Sequence, residues 1–170
     1  TKVGNLIERQ RGNVYTLGDN AYPNGAAEDF RNCYEPTWGQ FKERTKPTPG
    51  NHDYAGNEDR TPYDKVFPGK LNYRFEHAGW QFIGLDTTQG THYDKTYISA
   101  ATLAWLKAET AKLDKDKPTV AFTHFPLAPK VTYRPLNADA VLDELLELNL
   151  RAVLSGHWHG LLRQCGRPHG

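Results

Sequence analysis

Four short polar clusters in this chain carry side chains that could do chemistry together. They are Gly18-Asp19-Asn20-Ala21-Tyr22, Gly50-Asn51-His52-Asp53, His124-Phe125-Pro126 and Gly156-His157-Trp158-His159. They offer the carboxylate of Asp19, the amide of Asn51, the phenol of Tyr22 and the imidazoles of His52, His124, His157 and His159. Imidazole nitrogen combined with carboxylate oxygen suits zinc, iron or manganese, so the set reads first as a metal site. Asp19 has two oxygens with which to bridge two cations, and Asn51 offers a neutral oxygen. His157 and His159 would share one face of a strand; in a turn they could address two neighbouring cations.

Each residue taken alone has a plainer reading. Gly-Asp-Asn is good turn chemistry, and a single histidine near a strand end is more often an ordinary polar residue than a ligand. His77, His92 and His169 fall in that ordinary group. The metal reading rests on the set in this order, because every cluster follows an apolar or extended stretch. In open α/β sheets, sites form beyond the carboxyl ends of strands.

Those stretches define the elements that must position the clusters. Residues 13–17 (NVYTL) read as a buried strand ending at Gly18. Residues 26–44 look helical in two pieces broken at Pro36, and 46–49 are held extended by two prolines. Residues 54–70, polar and without period, are the longest loop candidate. A hairpin is expected from 72–76 and 80–85. Ser99 is a plausible N-cap for a helix over 99–112. Residues 119–123 (TVAFT) form a buried strand, Asn137 caps a helix over 138–148, and 151–154 (RAVL) form another buried strand. The fold class is therefore α/β, with α+β layers.

Composition narrows the field. The chain has 170 residues, enough for one domain over 1–170. Its 21 basic against 20 acidic residues leave +1, which argues against a scaffold holding nucleic acid by bulk charge. No apolar run approaches the roughly 18 residues of a membrane helix, and the mean hydropathy is −0.73. Two cysteines, Cys33 and Cys165, do not make a disulfide scaffold; they either pair or stay as thiols.

The ordered series Gly-Asp, Gly-Asn-His-Asp, a lone His and Gly-His-x-His resembles the metallophosphoesterase (calcineurin-like) superfamily. Within it, Gly18-Asp19-x-x-Tyr22 is similar to the purple acid phosphatase pattern. The resemblance runs from about residue 13 to about residue 160 and implies a β-sandwich of mixed sheets flanked by helices. It implies a dinuclear centre of iron with zinc, manganese or iron. Asp19 would bridge both ions, Asn51, His124 and His157 would complete one, and Tyr22 and His159 would belong to the other. His52 would give a proton to the leaving oxygen, with Asp53 orienting its ring. Two cations about 3.5–4 Å apart polarise a phosphoryl oxygen and turn bound water into hydroxide, and histidine is the residue type suited to protonating an alkoxide near neutral pH. The activity implied is that of an acid phosphatase-like phosphomonoesterase acting on a phosphorylated small molecule or peptide. The family leaning for location is exported, periplasmic or extracellular.

The pattern departs from the family at both ends. The superfamily opens with an Asp-bearing motif on a first strand, and residues 1–17 contain neither Asp nor His. With no Met in the sequence, this reads as a chain lacking its first strand, with the tyrosine-side ion short of one carboxylate and the fold incomplete at both ends. Gly-His-x-His is followed by Gly160-Leu161-Leu162-Arg163 rather than an aromatic-Glu-Arg run. Two rival readings follow: a phosphodiesterase or nucleotidase on the same metal core, or a metal-binding, catalytically impaired fragment. Other hydrolases fit worse. Leu161 stands where a metallo-β-lactamase needs Asp, and neither His-Glu-x-x-His nor Gly-x-Ser-x-Gly occurs.

Overall fold

The computed structural model describes residues 2–56, 59–160 and 163. After helix α1 (Lys2–Glu8), strand β1 (Val14–Leu17) pairs in parallel with β2 (Thr45–Thr48) to make a two-stranded sheet. The second sheet has the order β3-β4-β5-β6, formed by Tyr73–His77, Trp80–Leu85, Thr119–Thr123 and Leu150–Ser155. The β3–β4 hairpin is antiparallel, while β4–β5 and β5–β6 are parallel, crossed over by α4 (Ala100–Thr110) and α5 (Ala138–Leu146). Two sheets flanked by helices are thus present, in agreement with the expected class.

Side-chain alternation along β4 and β5 sends opposite chemistries to the two faces of the larger sheet. Ile83, Leu85 and Ala121 face α4 and α5 and form an aliphatic core with Leu106, Val141 and Leu145. Phe82 and Phe122 point the other way and meet Tyr15 of β1 at ring-centroid distances of 5.6 and 5.2 Å. The Tyr73 hydroxyl donates to the Pro47 carbonyl at 2.8 Å, tying the two sheets together. A separate aromatic cluster of Phe30, Tyr34, Tyr63 and Phe67 lies between β1 and β3 in sequence.

Several local expectations are met, and others are corrected. Ser99 caps α4 by accepting from the Thr102 amide at 3.1 Å. The 26–44 region divides before Pro36 as expected, but into short pieces. Helix α2 (Ala27–Asp29) runs into a π-turn over Phe30–Tyr34, and a 3-10 turn covers Gly39–Arg44. The expected loop over 54–70 contains a helix, α3 (Thr61–Val66). It has a proline in its first turn, where the missing N–H costs nothing, and it buries Tyr63. Asn137 does not cap α5 with its side chain; its amide instead accepts from the Ile98 N–H at 2.8 Å and donates to the Ile98 carbonyl at 2.9 Å. Strand β6 is not buried. It forms the sheet edge, and Leu154 is 41% exposed. Strand β1, paired among the described residues with β2 alone, is half-buried. Cys33 is exposed, and Cys165, with its pairing, lies outside the described residues, as does His169. Among the described residues, no helix is long and apolar enough to cross a membrane.

Candidate metal centre

Strands β1, β5 and β6 run into the site at their carboxyl ends, and the loop after β2 joins them. His124 follows β5 directly, and Gly156-His157 follows β6. The glycines are steric requirements. A Cβ on Gly18 would stand 2.2 Å from His124 Nδ1, on a backbone at φ +85°. A Cβ on Gly50 would stand 2.2 Å from Asp19 Oδ1 and 2.4 Å from the Asp19 nitrogen. Asp19 (φ 53°) and His157 (φ 61°) both occupy the left-handed region, which costs non-glycine residues energy and persists where the surroundings enforce it.

Asp19, His124 and His157 offer ligand atoms that all lie within 4.8 Å of one another. His124 Nε2 is 3.0 Å from His157 Nδ1, 3.1 Å from Asn51 Oδ1 and 3.4 Å from Asp19 Oδ1. The outer nitrogens fix the tautomers. His124 Nδ1–H donates to the Leu17 carbonyl at 2.7 Å, and His157 Nε2–H donates to the Tyr93 carbonyl at 3.0 Å. Burial lowers the His124 pKa to about 4, outweighing the pull of Asp19. Burial likewise lowers His157. Both rings are therefore neutral near pH 7, and the nitrogens that face each other are bare. Two lone-pair nitrogens, an amide oxygen and a carboxylate oxygen then converge with no proton between them. Such a cluster is self-repelling unless a cation sits inside. Ligand bonds of roughly 2.0–2.2 Å place neighbouring donors about 3–3.5 Å apart, and the observed separations of 3.0–3.4 Å fit. The mixed nitrogen and oxygen set suits zinc, manganese or iron.

The remaining expected residues fall into three groups. Tyr22 adjoins the cluster: its hydroxyl donates to Asp19 Oδ2 at 2.7 Å, so the two Asp19 oxygens have different partners. Burial, followed by the hydrogen bond to Asp19, pushes the Tyr22 phenol pKa up. His52 stands beside Tyr22, ring centroids 4.5 Å apart, and its amide donates to Asp19 Oδ1 at 3.1 Å. Its Nδ1–H donates to the Pro23 carbonyl at 2.7 Å, leaving Nε2 for a ligand. His159 is exposed and is not brought into the three-residue group, although its charge contributes to lowering the His157 pKa.

Asp53 departs from the expectation that it orients the His52 ring, since Pro23 does so. The Asp53 side chain is fully buried and accepts four hydrogen bonds. Oδ1 receives the Asn20 and Ala21 amides at 2.7 and 3.0 Å. Oδ2 receives the Asn20 side chain at 2.9 Å and the Gly50 amide at 2.8 Å. Burial pushes its pKa up to about 7 against the pull of those bonds. All four partners are N–H donors, so the cage is built to receive a carboxylate.

A cleft of about 500 Å³ adjoins the cluster, lined by Asn51 and His52 together with Asn24, Tyr54 and Thr91. Both expected substrate-facing loops, 54–70 and 86–97, supply a lining residue. Tyr93 contributes its carbonyl; its side chain is 66% exposed. Sequence reasoning missed Asp86, buried at the end of β4. It accepts from the Thr88 hydroxyl at 2.5 Å and from the Tyr54 hydroxyl at 3.3 Å, behind the cleft. Its signal was available, because a carboxylate after an apolar strand is the address that singled out the other clusters.

Two sheets bring imidazoles, a carboxylate and an amide together at the ends of their strands, a donor set suited to metal-assisted hydrolysis. Residues 2–161 match the family model described as calcineurin-like phosphoesterase, and the chain belongs to that family of metal-dependent phosphoric ester hydrolases. It is also 32% identical over 120 residues to a probable cyclic nucleotide phosphodiesterase of Fibrobacter succinogenes. That match covers 65% of this chain and 44% of the relative, so the chain spans less than half the relative's length.

Proposed function

We propose that this protein hydrolyses a phosphate ester at a dinuclear metal centre, in the manner of an acid phosphatase-like monoesterase. One observation carries the reading: the two oxygens of Asp19 face two different ligand groups. Oδ1 lies 3.4 Å from His124 Nε2, the atom that also meets Asn51 Oδ1 and His157 Nδ1, while Oδ2 accepts from the Tyr22 hydroxyl. Asp19, Asn51, His124 and His157 would hold one ion. Asp19 and Tyr22 would hold the second, with His159 supplied from the exposed turn after β6. Iron fits the phenol side, with zinc, manganese or iron at the other. When bound, such ions polarise the phosphoryl group and acidify a water.

The chain's own residues do the rest. Leu17 and Tyr93 carbonyls hold the two imidazoles with their lone pairs inward. His52, fixed through Nδ1 by Pro23, presents Nε2 to the cleft; as the imidazolium, with both ring nitrogens protonated, it gives the Nε2 proton to the departing oxygen and is left neutral with Nδ1–H still on Pro23. Such proton transfer accounts for roughly 10²–10⁴ in rate. The substrate is a phosphorylated small molecule or peptide.

A second reading, phosphodiester hydrolysis, is favoured by the named activity of the Fibrobacter relative. The test is hydrolysis of 4-nitrophenyl phosphate and bis(4-nitrophenyl) phosphate by the chelator-treated chain, with and without added Fe³⁺, Zn²⁺ or Mn²⁺. Metal-dependent turnover of the monoester above the diester is the expected result, and His52→Ala should lose more on phenyl phosphate, with its poorer leaving group, than on 4-nitrophenyl phosphate. Preference for the diester selects the second reading. No metal-dependent turnover of either ester leaves a metal-binding but impaired chain and sinks the catalytic proposal.

A further inference from the structure

We propose that Asp53 is a positioning residue that clamps the Asp19 turn to the Asn51 loop, so that both ligands face His124. The inference rests on the metal-centre reading above.

The clamp is visible in where the four donors sit. Two are the backbone amides that immediately follow Asp19, those of Asn20 and Ala21. A third is the Asn20 side chain, which also donates to the Thr48 carbonyl at 2.9 Å. The fourth is the Gly50 amide, one residue before Asn51. A single carboxylate therefore holds the neighbours of two ligands that lie 32 positions apart in the chain. The conformation it holds would not persist unaided, because Asp19 sits at φ 53°. The Asp19 carboxylate must also stay turned inward, where the His52 amide meets Oδ1. Without the clamp, the turn is free to relax toward ordinary backbone angles, carrying Asp19 Oδ1 away from His124. Asp53 touches none of the proposed reacting atoms and acts through Asp19.

The experiment compares the full chain with Asp53→Asn, Asn20→Ala and the control Leu145→Ala. Leu145 is fully buried in the aliphatic cluster against the other sheet, apart from the Asp19 turn, so its truncation lowers stability away from the clamp. Two quantities are read: Zn²⁺ affinity by competition with a chromogenic chelator, and hydrogen exchange of the His52 amide. In Asp53→Asn, an NH₂ group faces N–H donors. Affinity is expected to fall about 10- to 100-fold, the usual range for residues that orient ligands, and the His52 amide to exchange faster. Asn20→Ala, which removes one of the four donors, changes both in the same direction by less. Leu145→Ala lowers the melting temperature and leaves affinity and His52 exchange as in the wild type.

The proposal is overturned if Asp53→Asn binds Zn²⁺ within twofold of wild type, or if Leu145→Ala loses as much at equal melting temperature. Should Asp53→Asn not fold, wild-type values in Asn20→Ala overturn it. A wild-type chain that binds no cation defeats the functional reading instead, and the clamp is then decided by His52 exchange alone.

Discussion

The helix-backed sheet and the turn-rich segment between β1 and α3 deliver the candidate site residues to the same point by different means. The sheet half brings His124 and His157 on the ends of parallel strands, packed against α4 and α5 through aliphatic side chains. The turn-rich half brings Asp19, Tyr22, Asn51 and His52 on tight turns, with an aromatic cluster beneath. There, polar contacts onto backbone set the geometry: Asp53 on three amides, and the Pro23 carbonyl on the His52 ring. Stability and function are thus coupled differently. In the sheet half, damage to the core lowers stability before it disturbs ligand geometry. In the turn half, a small steric or polar change disturbs the ligands first.

Truncation of the aliphatic core gives the largest effect. Leu145 is fully buried there, and Leu145→Ala should cost about 2–5 kcal/mol in urea unfolding. Zn²⁺ affinity well below the melting temperature should stay at the wild-type value; a large loss would erase the distinction between the halves. Gly50→Ala should do the converse. Its Cβ meets Asp19 backbone and carboxylate at under 2.5 Å, so cation affinity should fall roughly 10- to 100-fold in a titration, out of proportion to any change in melting.

The acid response sharpens the comparison further. His124 ordinarily titrates near 6.5 and is held at about 4 by burial. Between those values the unfolded chain binds a proton that the folded chain refuses, so metal-free stability falls as pH drops from 6.5 toward 4. Asp53 works in the opposite sense: burial raises it toward 7, so the folded chain takes its proton more readily than the unfolded one. Comparing the wild type with metal-free His124→Gln cancels the Asp53 contribution. The wild type should lose stability more steeply on acidification, and equal slopes would contradict the burial argument. The smallest effect is expected far from both halves' interiors. Lys115 and Glu147, 3.4 Å apart and 63% and 69% exposed, form a surface pair, and Lys115→Ala should change stability by less than about 1 kcal/mol.

What could be read from the sequence follows the same division. Strands ending in polar clusters were legible because a short apolar run meeting a glycine and a ligand-type residue is a local signal. Helix α4 was legible through Ser99 and its leucines. Helix α3 was not, because six residues that include Pro62 look like loop until Tyr63 is seen to anchor them in the aromatic cluster. The exposure of β6 depends on strand order, which no local pattern encodes. Asn137 shows how one side chain serves either as a cap or as a distant tie to Ile98. Within the site, the ligand types were legible. The carbonyls of Leu17, Tyr93 and Pro23 that aim the rings were not, since a backbone carbonyl leaves no mark on residue identity. Asp53 carried a visible carboxylate, but its partners 32 and 33 residues away became apparent only in the fold.

The proposed function requires that the bare acceptor atoms of Asp19, Asn51, His124 and His157 enclose a cation. Metal content per folded chain tests it most directly, measured by elemental analysis after chelator stripping, reconstitution with Fe³⁺ and Zn²⁺, and desalting. At least one ion per chain is expected in the wild type, two if Asp19 bridges, and the ion should be lost in His124→Ala/His157→Ala. A wild-type chain that returns free of metal, or a double variant that retains it, would contradict the claim.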